Sequence, residues 1–152
     1  MLQFYLPGKK IVDFMKQIVY SYYCLDILHI GHIAMIKKCR QVAKNGKLIA
    51  GILIDEAIKE KKSKPILSFK ERFEIASSIK YFDEVIPQET YSPLNNLKIL
   101  KPNILMESDS HNKNEIETLS NYMKSINGKI IIVPYYQSQS STKIKELIRL
   151  KG

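Results

Sequence analysis

Cysteine is nearly absent from this chain: only Cys24 and Cys39 occur among 152 residues. Two cysteines cannot build a disulfide framework, and these show no metal-ligand spacing, so a reducing cytoplasm is the expected setting. No apolar run reaches the roughly 18 residues that a membrane helix needs, and the N-terminal stretch lacks the apolar core of a signal peptide. Neither membrane insertion nor secretion is expected. Internal repeats and low-complexity segments are also missing. Positive charge is not scarce. The net charge of +9 points to polyanionic partners. Yet the one short basic cluster, Lys59 to Lys64, has no aromatic interleaving, and the other lysines scatter over helix faces. No nucleic-acid partner is therefore expected.

Histidine is scarce too, with three in the chain, and two of them stand three residues apart in Asp26-Ile27-Leu28-His29-Ile30-Gly31-His32. This D-x-x-H-x-G-H stretch falls where an apolar strand, Ile18 to Tyr23, gives way to a helix from about Gly31 to Asn45. A helix N-terminus offers unpaired N–H groups and partial positive charge, which attract phosphate. Gly31 allows a tight turn and close approach of a ligand. His29 and His32 add donors for charge developing on a phosphoryl oxygen. The plainer reading makes one histidine a packed turn residue and the other a helix cap.

The remaining chain alternates strand and helix. Lys47 to Ile54 is a continuous apolar run, as in a parallel strand buried on both faces. Asp55-Glu56 follows at its carboxyl end. Asp55 there either meets a ribose hydroxyl or a metal through water, or simply caps a helix. Lys59 to Pro65 reads as a basic loop that closes on phosphates as point charges, or as a solvated charge run. Ser68 opens a capping box with Glu71 and a helix through Lys80, on which Arg72 reaches toward a neighbouring loop. Strands follow at Asp83–Pro87, Pro102–Met106 and Lys129–Pro134. Helices follow at Pro93–Leu100, Asn114–Ile126 and, capped by Ser140, Lys143–Leu150. The expectation is an α/β, Rossmann-like, doubly wound domain: five parallel strands with helices on both faces, over residues 18–152. Residues 1–17 precede it as an extension, with a short helix suggested by Ile11, Val12 and Met15.

At these residues the chain resembles the small cytidylyltransferases of the nucleotidyltransferase superfamily. The first motif is Asp26 to His32. Ser68-Phe-Lys-Glu-Arg72 is similar to the family's S-x-E-x-R, and Tyr81 to Ile86 to its Y-V-D-E-V-I. Tyr135 to Thr142 occupies the place of its final R-T-x-G-I-S-T-T. Segments such as Gly51 to Ile58 and Val85 to Thr90 look closer still to cytidylyltransferase domains of phosphonate biosynthesis, where a Tyr already stands in the position of that Arg.

The resemblance implies transfer of CMP from CTP to a small phosphonate or phosphorylated alcohol, with release of pyrophosphate. Mg²⁺ would arrive with CTP, and a homodimer is expected. It implies His29, His32, Lys62 and Lys64 as catalytic residues. The nucleotide would be bound by Tyr23, Cys24, Asp26, Gly31, Lys61, Ser140, Ser141 and Thr142. The acceptor would be bound by Asp55, Arg72, Glu107 and Asp109. Four places depart from the pattern: Tyr23 replaces a glycine, Tyr135 an arginine, Ser138-Gln139 a Gly-Ile, and Glu107 to Ser110 a G-D-D-W segment. An adenylyltransferase on the same scaffold and a catalytically degenerate nucleotide-binding module remain as alternatives.

Overall fold

Residues 16–152 are described by a computed structural model. Ile11 to Met15, suggested as helical, lie outside them. The elements run β1 (Ile18–Tyr23), α1 (Ile30–Ala43), β2 (Lys47–Leu53), α2 (Asp55–Lys59), α3 (Phe69–Ser77), β3 (Glu84–Gln88), α4 (Leu94–Leu100), β4 (Ile104–Ser108), α5 (Lys113–Ser125), β5 (Lys129–Val133) and α6 (Ser141–Lys151). All strand pairings are parallel, in the order β3-β2-β1-β4-β5. The α/β, doubly wound reading holds.

Apolar alternation sorts the two faces of the sheet. Val19, Leu48, Ile104 and Met106 pack with Cys39 and Ala43 of α1, and Ala50 and Ile52 with Ile36 of α1 and Ala76 of α3. On the opposite face Tyr20, Ile49 and Leu105 pack with Leu97 of α4 and with Leu119 and Met123 of α5. β1 is central, and the chain leaves it in opposite directions. It builds β2 and β3 on one side, then crosses to build β4 and β5 on the other. Such a reversal opens a crevice at the carboxyl ends of the strands, and there the histidine turn lies.

Several elements differ from expectation, among them α2, a short helix that the sequence reading left open. α3 stops at Ser77, not Lys80. The hydroxyls of Ser77 and Ser78 donate to the carbonyls of Phe73 and Glu74, so the last turn is satisfied locally and gains nothing by extending. β4 runs to Ser108, which places Glu107 inside the strand and not after it. α6 begins two residues earlier than expected, at Ser141.

Gly51 marks a close approach on β2. A Cβ there would stand 1.9 Å from the Tyr20 hydroxyl. That hydroxyl is fixed, because it donates to Gln88 Oε1 at 2.7 Å and accepts from Asn96 Nδ2 at 2.8 Å. Gly51→Ala is therefore expected to destabilise the protein by about 1–3 kcal/mol, seen as a lower urea midpoint with an unchanged slope.

Candidate active site

The histidine turn is built on a strained entry. Leu25 has φ 55°, the left-handed region that a branched residue avoids, and is held there by complete burial in the core. Asp26 follows and ties three segments together. Its Oδ1 accepts from the N–H groups of Ile66 and Leu67 at 2.7 and 2.9 Å, and its Oδ2 from Lys145 Nζ at 2.6 Å. Burial opposes ionisation of Asp26, but Lys145 and the two N–H groups outweigh it and hold the carboxyl below its ordinary value.

His29 is the N-cap of α1. Its Nδ1 accepts from Gly31 N at 3.0 Å, and His32 Nδ1 accepts from His29 N at 3.3 Å. An imidazole whose Nδ1 accepts carries its proton on Nε2 when neutral. Burial lowers the pKa of both rings. Burial, then His29 and Lys62, takes His32 to about 4, so it is neutral at physiological pH. The ring centroids are 4.0 Å apart. Both plain readings of these residues are thus correct as geometry, and they leave two Nε2–H donors unspent. Gly31 is needed for a different reason than turning: it sits in the first turn of α1, and a Cβ there would lie 2.8 Å from the His29 ring.

Two cavities meet at His32 and Tyr135. One, of about 370 Å³, is walled largely by Gly31, Ala34, Met35, Val133, Pro134 and Tyr136, with His29 at its edge. The other, of about 600 Å³, is polar and basic. It gathers Cys24, Asp26, His32, Lys61, Lys62, Ser140, Ser141 and Thr142, all singled out from the sequence. The start of α6 faces it. Ser140 caps that helix by accepting from Lys143 N at 3.1 Å, and the Ser141 hydroxyl donates to the Ile27 carbonyl at 3.3 Å, joining α6 to the histidine turn. The first N–H groups of a helix have no partner inside it, so this end is a second anion-attracting group.

Other expected site residues stand elsewhere. Tyr23 is not in either cavity; its ring packs on Phe82 in the core and its hydroxyl donates to Ser21. Arg72 is fully buried and faces no cavity. It donates to the carbonyls of Leu67, Cys24 and Leu53 and is ion-paired with Asp55 at 2.6 Å. Both members of that pair brace the strand ends and line neither cavity. Asp109 accepts from Tyr135 N at 2.7 Å and so positions the loop after β5. Lys64 is exposed and lines neither cavity. Glu107 is buried beside Tyr22 and His111, away from both. Lys145 was missed. It lies four residues after Ser141, on the same helix face, and that spacing was the available signal.

A protein-family model described as cytidylyltransferase-like matches residues 24–147. The chain belongs to the cytidylyltransferase-like family. This puts it in the nucleotidyltransferase superfamily that the histidine motif marks. The cytidylyltransferase-like chain is 31% identical over 123 residues to the bifunctional protein HldE of Hyphomonas neptunium, covering 80% of this chain and 25% of that protein. It is 27% identical over 135 residues to that of Syntrophotalea carbinolica, covering 88% and 27%. It thus spans about a quarter of the length of the curated relatives it matches. Its fold is similar to a lipopolysaccharide core biosynthesis protein of Thermoplasma volcanium, with TM-score 0.67, 21% identity, and 81% and 98% of the two chains covered. It is also similar to a pantoate-beta-alanine ligase of Francisella tularensis, with TM-score 0.57, 18% identity, and 89% and 70% covered.

Glu107 offers a test of the electrostatics around the buried carboxyl itself, outside the two cavities. Burial raises its carboxyl from an ordinary 4.5 to about 7, against the pull of Tyr22 and the Ser108 N–H. The folded protein holds this proton more tightly than the unfolded chain does. The resulting stabilisation is full below pH 4.5 and is lost as pH rises through 7. Glu107→Gln is expected to flatten the fall of Tm across that range.

Proposed function

We propose that this protein transfers CMP from CTP to a small phosphonate or phosphorylated alcohol, releasing pyrophosphate. The observation that carries the reading is the histidine pair, with His29 lining the less polar cavity and His32 lining both. In this reading the nucleoside lies in the less polar cavity against Met35, Val133 and Tyr136. The triphosphate turns past His32 into the basic one.

An acceptor oxygen then attacks the α-phosphorus in line, a new P–O bond forms, and the bond to the β-phosphate oxygen breaks. Little covalent work falls to the protein; positioning and charge stabilisation dominate. His29 and His32 donate to the oxygens of the α-phosphate without giving up a proton. Lys62 and Lys61 meet the phosphates from the loop. The N–H groups at the start of α6 hold the departing pyrophosphate. Lys145 keeps α6 docked on Asp26.

Mg²⁺ belongs to the same proposal as a companion of the triphosphate, where it neutralises phosphate charge. Among the described residues no group of three or more His, Cys, Asp or Glu side chains is placed to hold a metal. The phosphate oxygens are thus the ligands this reading gives it. Association into a homodimer and a cytoplasmic setting complete the reading; among the described residues no helix is long and apolar enough to cross a membrane.

Adenylyl transfer is the second reading. The Francisella ligase on a similar fold was solved with an ATP analogue, so this architecture accepts a purine nucleotide in that protein. Pyrophosphate release with each of the four nucleoside triphosphates, against a panel of phosphonates and phospho-alcohols, separates the two. Release with CTP is expected; release with ATP alone would transfer the chain to the second reading. Nucleotide-induced stabilisation with no turnover would mark a binding module. His32→Ala is expected to lower turnover at least ~100-fold, the scale of one lost oxyanion-type donor, and retention of more than about a tenth of the activity would remove it from the mechanism. Light scattering at micromolar concentration is expected to give the mass of a dimer, and a monomer there would refute that part.

A further inference from the structure

Gln139 is the residue of the last motif to which the proposed reaction gives no task. It stands where the resembling pattern carries an isoleucine, and it lines the less polar cavity with His29, Met35 and Tyr136. Its amide is anchored. Oε1 accepts from the N–H of Ser140 at 3.0 Å, and of the two ends of that amide only the oxygen can accept. The orientation of the group is thereby settled, with the Nε2–H₂ end pointing away from Ser140. Among the described residues that end makes no hydrogen bond.

The loop that carries Gln139 is pinned on both sides. The N–H of Tyr135 donates to Asp109 at 2.7 Å, Lys143 Nζ donates to the Gln137 carbonyl at 2.6 Å, and Ser140 caps α6. A donor held in this way loses little further freedom when a ligand arrives. The other polar groups of the cavity are less discriminating. The hydroxyls of Ser108 and Tyr136 can donate or accept, so they suit either kind of partner. Ser108 is in addition bonded to Ser110 at 3.0 Å. Lys38 is exposed, at the end of a flexible stem.

Cytosine and uracil are the same size and differ along one edge. Position 3 is a bare nitrogen acceptor in cytosine and an N–H donor in uracil. We infer that Gln139 is a specificity-determining residue for the base: its Nε2–H donates to N3 of cytosine and meets uracil donor against donor. The inference rests on the CTP transfer reading and deepens it, by naming the group that separates the two pyrimidines. The same amide also joins base to phosphates. One end reads the base, and the other holds Ser140 at the anion-attracting start of α6.

Calorimetric titration of the full chain with CTP, UTP and 3-deaza-CTP, in which N3 is replaced by C–H, tests it. CTP is expected to bind about tenfold tighter than either of the others, the scale of one hydrogen bond. Gln139→Leu should bring the three affinities together. Gln139→Glu keeps an acceptor for Ser140 and offers a second acceptor to the base, so it should shift the CTP:UTP ratio toward UTP. A purely structural role would weaken all three alike and leave the ratios unchanged, which would overturn the inference. Equal binding of CTP and 3-deaza-CTP by the unaltered protein would overturn it too. So would a preference that survives in Gln139→Leu but is lost in Lys38→Met. Each of these leaves CTP transfer intact. Binding of ATP without CTP would remove the inference and the CTP reading together. Selectivity for CTP that is lost in Gln139→Leu, with no turnover of any acceptor, would support the role of Gln139 and count against transfer.

Discussion

Arg72 donates to the carbonyls that end β1 and β2 and to the one that precedes α3, and its remaining nitrogen is ion-paired with Asp55 at the start of α2. Four segments at the carboxyl edge of the sheet thus converge on one guanidinium. Their carbonyls have no other strand to bond to, and burying them unpaired would be costly. Removing one partner of such a buried pair costs about 3–5 kcal/mol. The geometry of the histidine turn depends on this arrangement. Cys24 is held at its carbonyl, Leu25 is forced to positive φ, and Asp26 is delivered to the loop at Ile66–Leu67.

Downstream of that constraint, structure and chemistry share the same hydrogen bonds. The N-cap of α1 needs acceptors for its first N–H groups, and the two imidazoles supply them through Nδ1. Capping therefore selects the tautomer that presents Nε2–H outward. Burial lowers both rings, joined at His32 by the His29 ring and Lys62, and favours their neutral forms. A phosphoryl oxygen meeting them encounters oriented donors that need not exchange protons with solvent first. Cap and free donor, set against each other in the sequence reading, are compatible in one geometry.

The sheet was legible because most strands read as apolar runs and several helices carry their own start signal, as at Ser68 and Ser140. The two anion-attracting helix starts were legible for the same reason. The misplacements have specific causes. Tyr22 and Tyr23 are adjacent aromatics on opposite sheet faces, and nothing local says which face leads to the crevice and which to Phe82. Glu107-Ser108 resembles the polar start of a loop, but the pairing with β5 extends β4 through it. Arg72 was expected to reach outward because arginine is rarely buried; only the tertiary structure reveals four partners waiting inside.

The order of strands has a consequence for how the site comes into being. β1, α1, β2 and β3 are consecutive in sequence and meet through short-range connections, whereas β4 must find β1 across all of them. Loop-closure entropy favours the first group forming before the second docks. The histidines and the lysine loop belong to the early half, while Tyr135 and the start of α6 belong to the late half. The two cavities therefore exist only once the halves have met. The Ser141–Ile27 and Lys145–Asp26 contacts are seams between them, and a chain that opened there would lose both cavities while keeping the first three strands.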